Sequence, residues 1–419
     1  MTKLKTIRVF EYESIKYKKG KYYKEGFTKD IFKAFERYFQ SNENTPFFKM
    51  IPYGVRFTQY VGAIQIGAFT IEVLPKAGRQ GNEKVWHSVL LDMLKTCNLL
   101  TAKESGQANL RLRANSILDL YFELYIKELE KLIHQGLIKK YRKQEGQQKA
   151  LKGSLIFSHN ISKNLVHKER FYTRHTVYDK NHRLHQILFE ALKIVEHFSH
   201  SSYLADRIGR VEMDFPEVNR LNVESNHFKN IKRDRKVKPY SKALDIAKLL
   251  ILNYRPDIST GRNDLLAIMF DMNVLWEEYV FRRMKKELHS EWNVKAQERT
   301  KFWESKIVKP DLFIEHKVDQ RLKYIIDTKW KVIDNNHPAD DDLKQMYVYN
   351  HHWGTYQSIL LYPRTHNQED REGMYTLSMQ NEQHGCMLGF VDVIDDYGLR
   401  SDLVKQIKDK LLITKSEVN

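Results

Sequence analysis

Two short segments and the lysine that ends the second carry the strongest chemical signal in this sequence. The first is Lys309-Pro310-Asp311-Leu312-Phe313-Ile314-Glu315; the second, beyond a polar turn at Lys317 to Arg321, is Lys323-Tyr324-Ile325-Ile326-Asp327-Thr328-Lys329-Trp330. They read as a β-hairpin. Because strand side chains alternate, Ile325, Asp327 and Lys329 project to one face, and Tyr324, Ile326, Thr328 and Trp330 to the other. A hairpin that sets the start of its first strand beside the end of its second brings Asp311 to the Asp327 and Lys329 pair. Two carboxylates and one ammonium then share a surface. That trio suits phosphodiester hydrolysis, in which the target is anionic and water is a poor nucleophile at neutral pH. Carboxylate oxygens hold Mg²⁺, or Mn²⁺ in its place; the ion polarises the phosphate and lowers the pKa of its water, while a lysine orients that water or offsets developing charge. Asp311 and Asp327 are the expected metal ligands, Thr328 is counted with them, and Lys329 is the expected catalytic cation. An acid set behind Tyr324-Ile325-Ile326 is costly without a partner or a function, which speaks against a plain surface ion pair. Glu315-His316-Lys317 offers a similar acid and lysine, but it abuts the turn, too close to Asp311 along one strand for an opposed arrangement.

The elements around this hairpin must hold it. From about residue 262 the pattern alternates helix and strand: a helix from Asp271 to Leu288 precedes strand candidates at Trp292 to Ala296, Ile307 to Glu315, Leu322 to Trp330, Tyr356 to Tyr362 and Met387 to Ile394. A further helix, Ala339 to Asn350, falls between the third and fourth strands, with Asp340, Asp341 and Asp342 at its N-terminus, where the macrodipole favours negative charge. Gln345 and Tyr349, four residues apart, share one face of it. Residues 1 to 80 read as a mostly β module. Alternating segments at Thr6 to Tyr12 and Val55 to Tyr60 lead to a hairpin turning at Gly67, one helix starts behind Thr28, and Pro75-Lys76-Ala77-Gly78 closes the module. Residues 81 to 261 read as helical and basic, with helices at Val85 to Cys97 and at Ser116 to Gln135, the latter stopped by Gly136. Basic clusters follow at Lys139 to Lys143, at His167 to Tyr172, and at Lys229 to Lys238 with Lys232, Arg233, Arg235 and Lys236. Such runs grip phosphates or simply solvate a surface. The expectation is an α+β multidomain protein: a mostly β N-terminal module (1–80), a helical middle (81–261) and a C-terminal α/β domain (262–419) around a central mixed sheet.

Composition narrows the partners. With 419 residues and 42% hydrophobic content, the chain has apolar mass for two or three cored domains, which excludes global disorder. Lys and Arg number 70 against 53 Asp and Glu, leaving +17, so a polyanion is the natural partner. Cys97 and Cys386 are the two cysteines, too far apart and too isolated for a zinc knuckle or a disulfide framework. No apolar run approaches the roughly 18 to 20 residues that span a bilayer, and the N-terminus lacks a signal-like core, so a cytoplasmic protein without membrane contact is expected. No G-x-x-x-x-G-K-[ST] loop occurs, so the chain is expected to bind no nucleotide itself.

The run Pro-Asp, spacer, Asp-x-Lys resembles the PD-(D/E)XK nuclease signature, and Gln345-x-x-x-Tyr349 on the following helix resembles its RecB-like branch, where the pair helps line the DNA-side pocket. In that superfamily an acid from the first helix often completes the metal site, which here implies Glu277, with Glu278 competing for the role. Over a wider span the chain resembles the McrC family, the nuclease subunits of GTP-driven restriction systems. The resemblance is carried by Ile71-Glu72-Val73-Leu74-Pro75-Lys76, Gly136-Leu137-Ile138-Lys139-Lys140-Tyr141, Lys152-Gly153-Ser154-Leu155, Tyr178-Asp179 with Asn181, the Met272 to Val280 helix, and the hairpin with Asp342-x-x-Gln345. It implies a restriction-endonuclease-like C-terminal domain and a Mg²⁺-dependent subunit that cuts double-stranded DNA in a modification-dependent system. It also implies assembly with a McrB-like AAA+ GTPase hexameric ring, docked and stimulated through the N-terminal region, the chain being monomeric until it joins. A stand-alone RecB-like repair nuclease and a non-enzymatic DNA-binding activator of such a ring are the other readings.

Overall fold

The computed structural model describes residues 5–41, 45–77, 82–99, 116–231, 234–255, 264–319, 321–333, 337–365, 368–376, 383–396 and 398–413. Gly78, Lys232 and Arg233, singled out above, lie outside them. The backbone forms two compact units, one of Leu112–Ile268 and one of Lys5–Arg111 with Met269–Asn419. The boundaries expected from the sequence fell after residues 80 and 261, and with no link from the first segment to the last. Among the described residues no helix is long and apolar enough to cross a membrane.

In the N-terminal segment, β1 (Lys5–Phe10) runs parallel to β6 (Phe69–Leu74), which pairs antiparallel with β5 (Tyr60–Ile66). The hairpin between β5 and β6 turns at Gly67, whose φ of 53° is left-handed. A smaller sheet joins β2 (Ser14–Lys16), β4 (Gly54–Phe57) and β3 (Phe48–Ile51) under helix α1 (Lys29–Ser41), and Thr28 accepts a hydrogen bond from the Ile31 N–H at its start. Helix α2 (Glu83–Thr96) begins at Asn82, whose side chain accepts from the N–H groups of Lys84 and Val85.

The Leu112–Ile268 unit is built on α3 (Ile117–Gln135), capped by Ser116 and ended by Gly136 at φ 87°. Also part of it are α4 (Phe157–Asn164), α5 (Arg183–Phe198), α6 (Ser202–Asp214), α7 (Ser225–Lys229) and α8 (Ser241–Leu252). The middle is not helical throughout. β7 (Lys140–Gln148), β9 (Phe171–Asp179) and β8 (Ser154–Leu155) form an antiparallel sheet whose alternation, polar on both faces, gives no apolar period to read. Gly153 is required beside it, since a Cβ there would stand 2.3 Å from the Arg174 carbonyl oxygen. Part of the basic charge is neutralised within the sheet, where Arg142 pairs with Asp179 at 2.7 Å and Arg174 with Glu145 at 2.6 Å. Strands β10 (Tyr254–Arg255) and β11 (Leu265–Asp271) pair antiparallel.

After α9 (Met272–Glu287) comes a six-stranded mixed sheet. It uses β12 (Trp292–Ala296), β15 (Leu312–His316), β16 (Lys323–Thr328), β17 (Gln357–Pro363), β18 (Arg371–Met374) and β19 (Gly385–Val391), in the order β12-β15-β16-β17-β19-β18. β16, β17 and β19 are mutually parallel neighbours, and α10 (Asp340–Trp353) makes the crossover from β16 to β17. The expected single strand from Ile307 to Glu315 is instead broken. Lys306–Val308 (β14) pairs with Thr300–Trp303 (β13) in a separate hairpin, and β15 starts only at Leu312. Pro310 is the reason, since it has no N–H for a ladder and restricts Lys309 before it. The edge strand β18, the hairpin β13–β14 and the C-terminal helix α11 (Leu403–Ile413) were not expected.

Helix α10 packs Met346 and Tyr349 onto the sheet face bearing Phe313, Ile325 and Leu360. Helix α9 places Trp276 against Trp330, with ring centres 5.3 Å apart, and Trp330 also meets Trp86 of α2 edge-on at 6.4 Å. The Trp330 indole donates to Glu11 Oε1 at 2.7 Å, and the Lys76 N–H donates to the same oxygen at 2.8 Å. Glu11 Oε2 is buried with no hydrogen-bond partner, and burial pushes this carboxyl up to about 7 from 4.5. The folded chain therefore keeps a proton that the unfolded chain has already lost, so this group lowers stability as pH rises through that window. Glu11→Gln, which cannot ionise, should be more stable than the parent by roughly 1–3 kcal/mol at pH 8 and equal to it at pH 4. Denaturant titrations at the two pH values check this; a variant weaker than the parent at pH 8 would show the carboxylate to be the preferred form.

Candidate active site

The site lies where β15 begins and β16 ends. Leu312 pairs with Ile326 and Phe313 with Ile325, so continuing that register by one step sets Asp311 opposite Asp327. Asp311 precedes the strand, and its Oδ2 accepts from both the Thr328 N–H at 2.8 Å and the Thr328 hydroxyl at 3.0 Å. Thr328 thus spends its hydroxyl on holding Asp311. Asp327 is only 2% exposed, and Lys329 Nζ approaches its Oδ2 to 2.7 Å. This ion pair meets the charge of a carboxylate that burial otherwise leaves poorly solvated. The Lys329 N–H donates to the Leu361 carbonyl, which carries the β16–β17 ladder one residue past the acids and fixes where the lysine starts.

Asp342, in the first turn of α10, completes the charge pattern. Its carboxylate lies 3.3 Å from Lys329 Nζ and 2.6 Å from Lys331 Nζ. Asp342 stood out in the sequence through the helix dipole and through the Asp342-x-x-Gln345 spacing, neither of which marked it as a partner of Lys329. Tyr349 donates from its hydroxyl to the Lys309 carbonyl at 2.9 Å and accepts from the Gln345 amide at 2.6 Å, so this pair anchors α10 to the segment that leads into Asp311. Of the two neighbouring acids Glu277 and Glu278 on α9, Glu278 pairs with Arg282 on its own helix. Glu277 is the one whose charge reaches Asp311 and Asp327, and its Oε1 accepts from the Gln297 amide at 2.7 Å. Gln297 was not found from the sequence; a lone glutamine after a strand carries no signal. The competing Glu315 sits at the far end of the hairpin, 3.5 Å from Lys323.

Electrostatics follow from this crowding. Burial raises the carboxyl of Asp311, with the Glu277 charge adding to the effect, and it raises that of Asp327, with the Asp311 charge adding. Burial likewise raises Glu277, which the Gln297 donor offsets in part. Burial alone would depress the Lys329 ammonium, but Asp327 and Asp342 outweigh it and hold its pKa up. Desolvation would raise Asp342, yet Lys331 and Lys329 bring it below the usual range. The result is a fixed cation beside carboxyls that resist ionising without more positive charge.

Among the described residues no three His, Cys, Asp or Glu side chains come close enough together to hold a metal ion. The donor set therefore offers the two carboxylates of Asp311 and Asp327, with Glu277 standing off and other positions left to water or substrate. That fits a hard, water-rich cation such as Mg²⁺, which keeps several waters and needs one or two carboxylates. Two crowded acids with raised carboxyls beside a single lysine leave a shortage of positive charge, which supports the fit.

Comparison with known proteins adds a family and a fold. The family model described as McrBC 5-methylcytosine restriction system component matches residues 55–363, well over half of the chain. A chain in the solved half-complex of a tetradecameric assembly of Thermococcus gammatolerans McrB AAA+ hexamers with bound McrC superposes with a TM-score of 0.67 at 16% identity. The match covers 98% of this chain and 100% of that one. A chain of the Thermococcus gammatolerans McrBC complex aligns at a TM-score of 0.48 and 18% identity, over 71% of this chain and 89% of that one. At 16% identity the first of these solved structures speaks for the fold alone, and no curated protein matches.

The like-charge crowding sets a test of the site without substrate. Asp311→Asn keeps an acceptor for Thr328 but removes one repelling charge. Since a raised carboxyl takes stability away as pH rises above the ordinary carboxylate range, the metal-free variant should be more stable than the parent by roughly 1–2 kcal/mol at pH 7.5 and no different at pH 4. Added Mg²⁺ should raise the melting temperature of the parent and leave the variant unmoved. Thermal unfolding with and without the ion reads both effects, and an equal shift in the two proteins would remove Asp311 from the metal site.

Proposed function

The chain belongs to the family of McrBC 5-methylcytosine restriction system components, and from that premise we propose that it is the system's DNA-cutting subunit, a Mg²⁺-dependent endonuclease of the PD-(D/E)XK type. The observation that carries this reading is the meeting of Asp311, Asp327 and Lys329 at one sheet end, with Asp327 buried and Lys329 2.7 Å from its Oδ2. A surface ion pair would not need that burial, and one lysine does not balance two crowded acids whose carboxyls are both raised.

In this reading Asp311 and Asp327 hold the cation, and Thr328 fixes the Asp311 carboxylate from its backbone and hydroxyl together. When bound, Mg²⁺ supplies a Lewis acid for the phosphate and a water of lowered pKa. Lys329 stays protonated between Asp327 and Asp342, and so presents a fixed ammonium where negative charge develops on the phosphate. Glu277 stands at the rim of the same site, suited to accept a hydrogen bond from a water there. Gln345 and Tyr349 hold the approach to Asp311 in place rather than reacting. The partner is a McrB-like AAA+ GTPase hexamer, as in the related assembly, and the substrate is double-stranded DNA, in keeping with the +17 charge.

Lys329→Ala is the direct test. With the GTPase partner, GTP, Mg²⁺ and modified DNA present, double-strand cleavage should fall by at least about 100-fold, the scale expected for loss of one preorganised charge, while the complex still co-elutes on a sizing column. Cleavage at the parental rate would remove the lysine from the chemistry. Vigorous digestion by the isolated parent chain without GTPase would favour the stand-alone nuclease instead.

A further inference from the structure

Gln297 follows directly on β12 and occupies left-handed backbone at φ 52°. A long side chain is strained there, at a cost of order 1–3 kcal/mol when the surroundings do not favour it. Gln297 is exposed, so packing does not offset the strain. Two hydrogen bonds into the site do. Its backbone N–H donates to the Asp311 carbonyl at 3.0 Å, and its side-chain amide donates to Glu277 Oε1 at 2.7 Å. One residue thereby grips the main chain of one acid and the carboxylate of another, and it joins the sheet to α9 at the point where their charges meet.

We propose that Gln297 is a positioning residue that sets the Glu277 carboxylate at a fixed offset from Asp311 and so tunes the affinity of the site for a divalent cation. The proposal rests on the nuclease reading above. Among the described residues, the Gln297 amide is the hydrogen-bond donor to Glu277. Without the amide its long side chain is free to take other rotamers, drawn by the Lys309 charge and repelled by that of Asp327, and so loses its fixed offset from Asp311. The amide N–H is also the right group for the task, since it orients a carboxylate without adding a positive charge that would compete with the ion.

The backbone supplies an unusually clean test. Gln297→Gly keeps the N–H to Asp311 and suits left-handed φ, but loses the amide. Gln297→Glu keeps the length and replaces the donor with a second carboxylate. Mn²⁺ alone is titrated calorimetrically into the full chain at fixed pH, with thermal unfolding measured in parallel. Both variants should bind Mn²⁺ about 10- to 100-fold more weakly, the range found for groups that orient ligands from outside the coordination sphere, and the Gly variant should unfold no earlier than the parent. In the assembled system the Mg²⁺ concentration giving half-maximal cleavage should rise by a similar factor, with the maximal rate recovered at high Mg²⁺. Folded variants that bind Mn²⁺ as tightly as the parent would overturn the positioning role and leave the nuclease reading standing. A parent that binds no Mn²⁺ would overturn both, so the two failures are distinguishable.

Discussion

Two carboxylates forced into one poorly solvated strand end are the constraint on which the C-terminal domain is organised. Asp311 and Asp327 face each other because the β15–β16 register is fixed by apolar residues on both sides of the sheet, Leu312 and Ile314 on one and Phe313 and Ile325 on the other. A slip of one residue would turn all of these over at once. The acids therefore cannot move apart by sliding; their repulsion has to be met where it arises. Thr328 meets part of it with two donors, and Lys329 meets more with a charge. Asp342 keeps that lysine protonated and prevents it from simply neutralising Asp327. Each of these groups has an evident reason only in terms of the others.

Placing them accurately requires rigid supports, and the support is mostly aromatic. Trp276, Trp86 and Trp330 bring α9 and α2 together just past Lys329, and Glu11, the residue after β1, pins the Trp330 indole. Aromatic rings give large buried area with few rotatable bonds, which is the property a positioned site needs. The N-terminal strands are thereby part of the same compact unit as the site, joined to it by contacts between residues far apart in sequence.

What the sequence made legible divides along the range of the interaction involved. Asp327 and Lys329 could be read from period-two alternation, and Asp311 from the hairpin they imply, because strand geometry is local. Gln345 and Tyr349 were readable as neighbours on one helical face for the same reason, although the structure gives their contact a different sense, since Tyr349 reaches the main chain of Lys309. Which of Glu277 and Glu278 lies nearer the two aspartates was not legible, because it depends on which way α9 is rotated against the sheet; Glu278 pairs with Arg282, while the charge of Glu277 reaches Asp311. The second role of Asp342, the grip of Gln297 and the tie from Glu11 to Trp330 stayed hidden because each joins elements whose approach no local pattern encodes. The break at Pro310 was legible in principle and was overridden by the run of apolar residues around it, which read as one strand.

The break matters to the chemistry. Had the strand run unbroken from Ile307, Asp311 would have been a ladder residue, with its side chain committed to one face and its backbone tied to the β16 edge. Released by Pro310, Asp311 instead turns its carboxylate to the Thr328 N–H while its carbonyl is taken up by Gln297, so its two polar ends are held by different elements. The same interruption leaves the Lys309 carbonyl free to be taken by Tyr349 from the crossover helix. An irregularity of three residues thus gives the sheet, β12 with Gln297, and α10 each a hold on the same short segment. It does so without loosening the register that keeps Asp311 and Asp327 opposed, which is why Asp311 can be held at both its carbonyl and its carboxylate and still face Asp327.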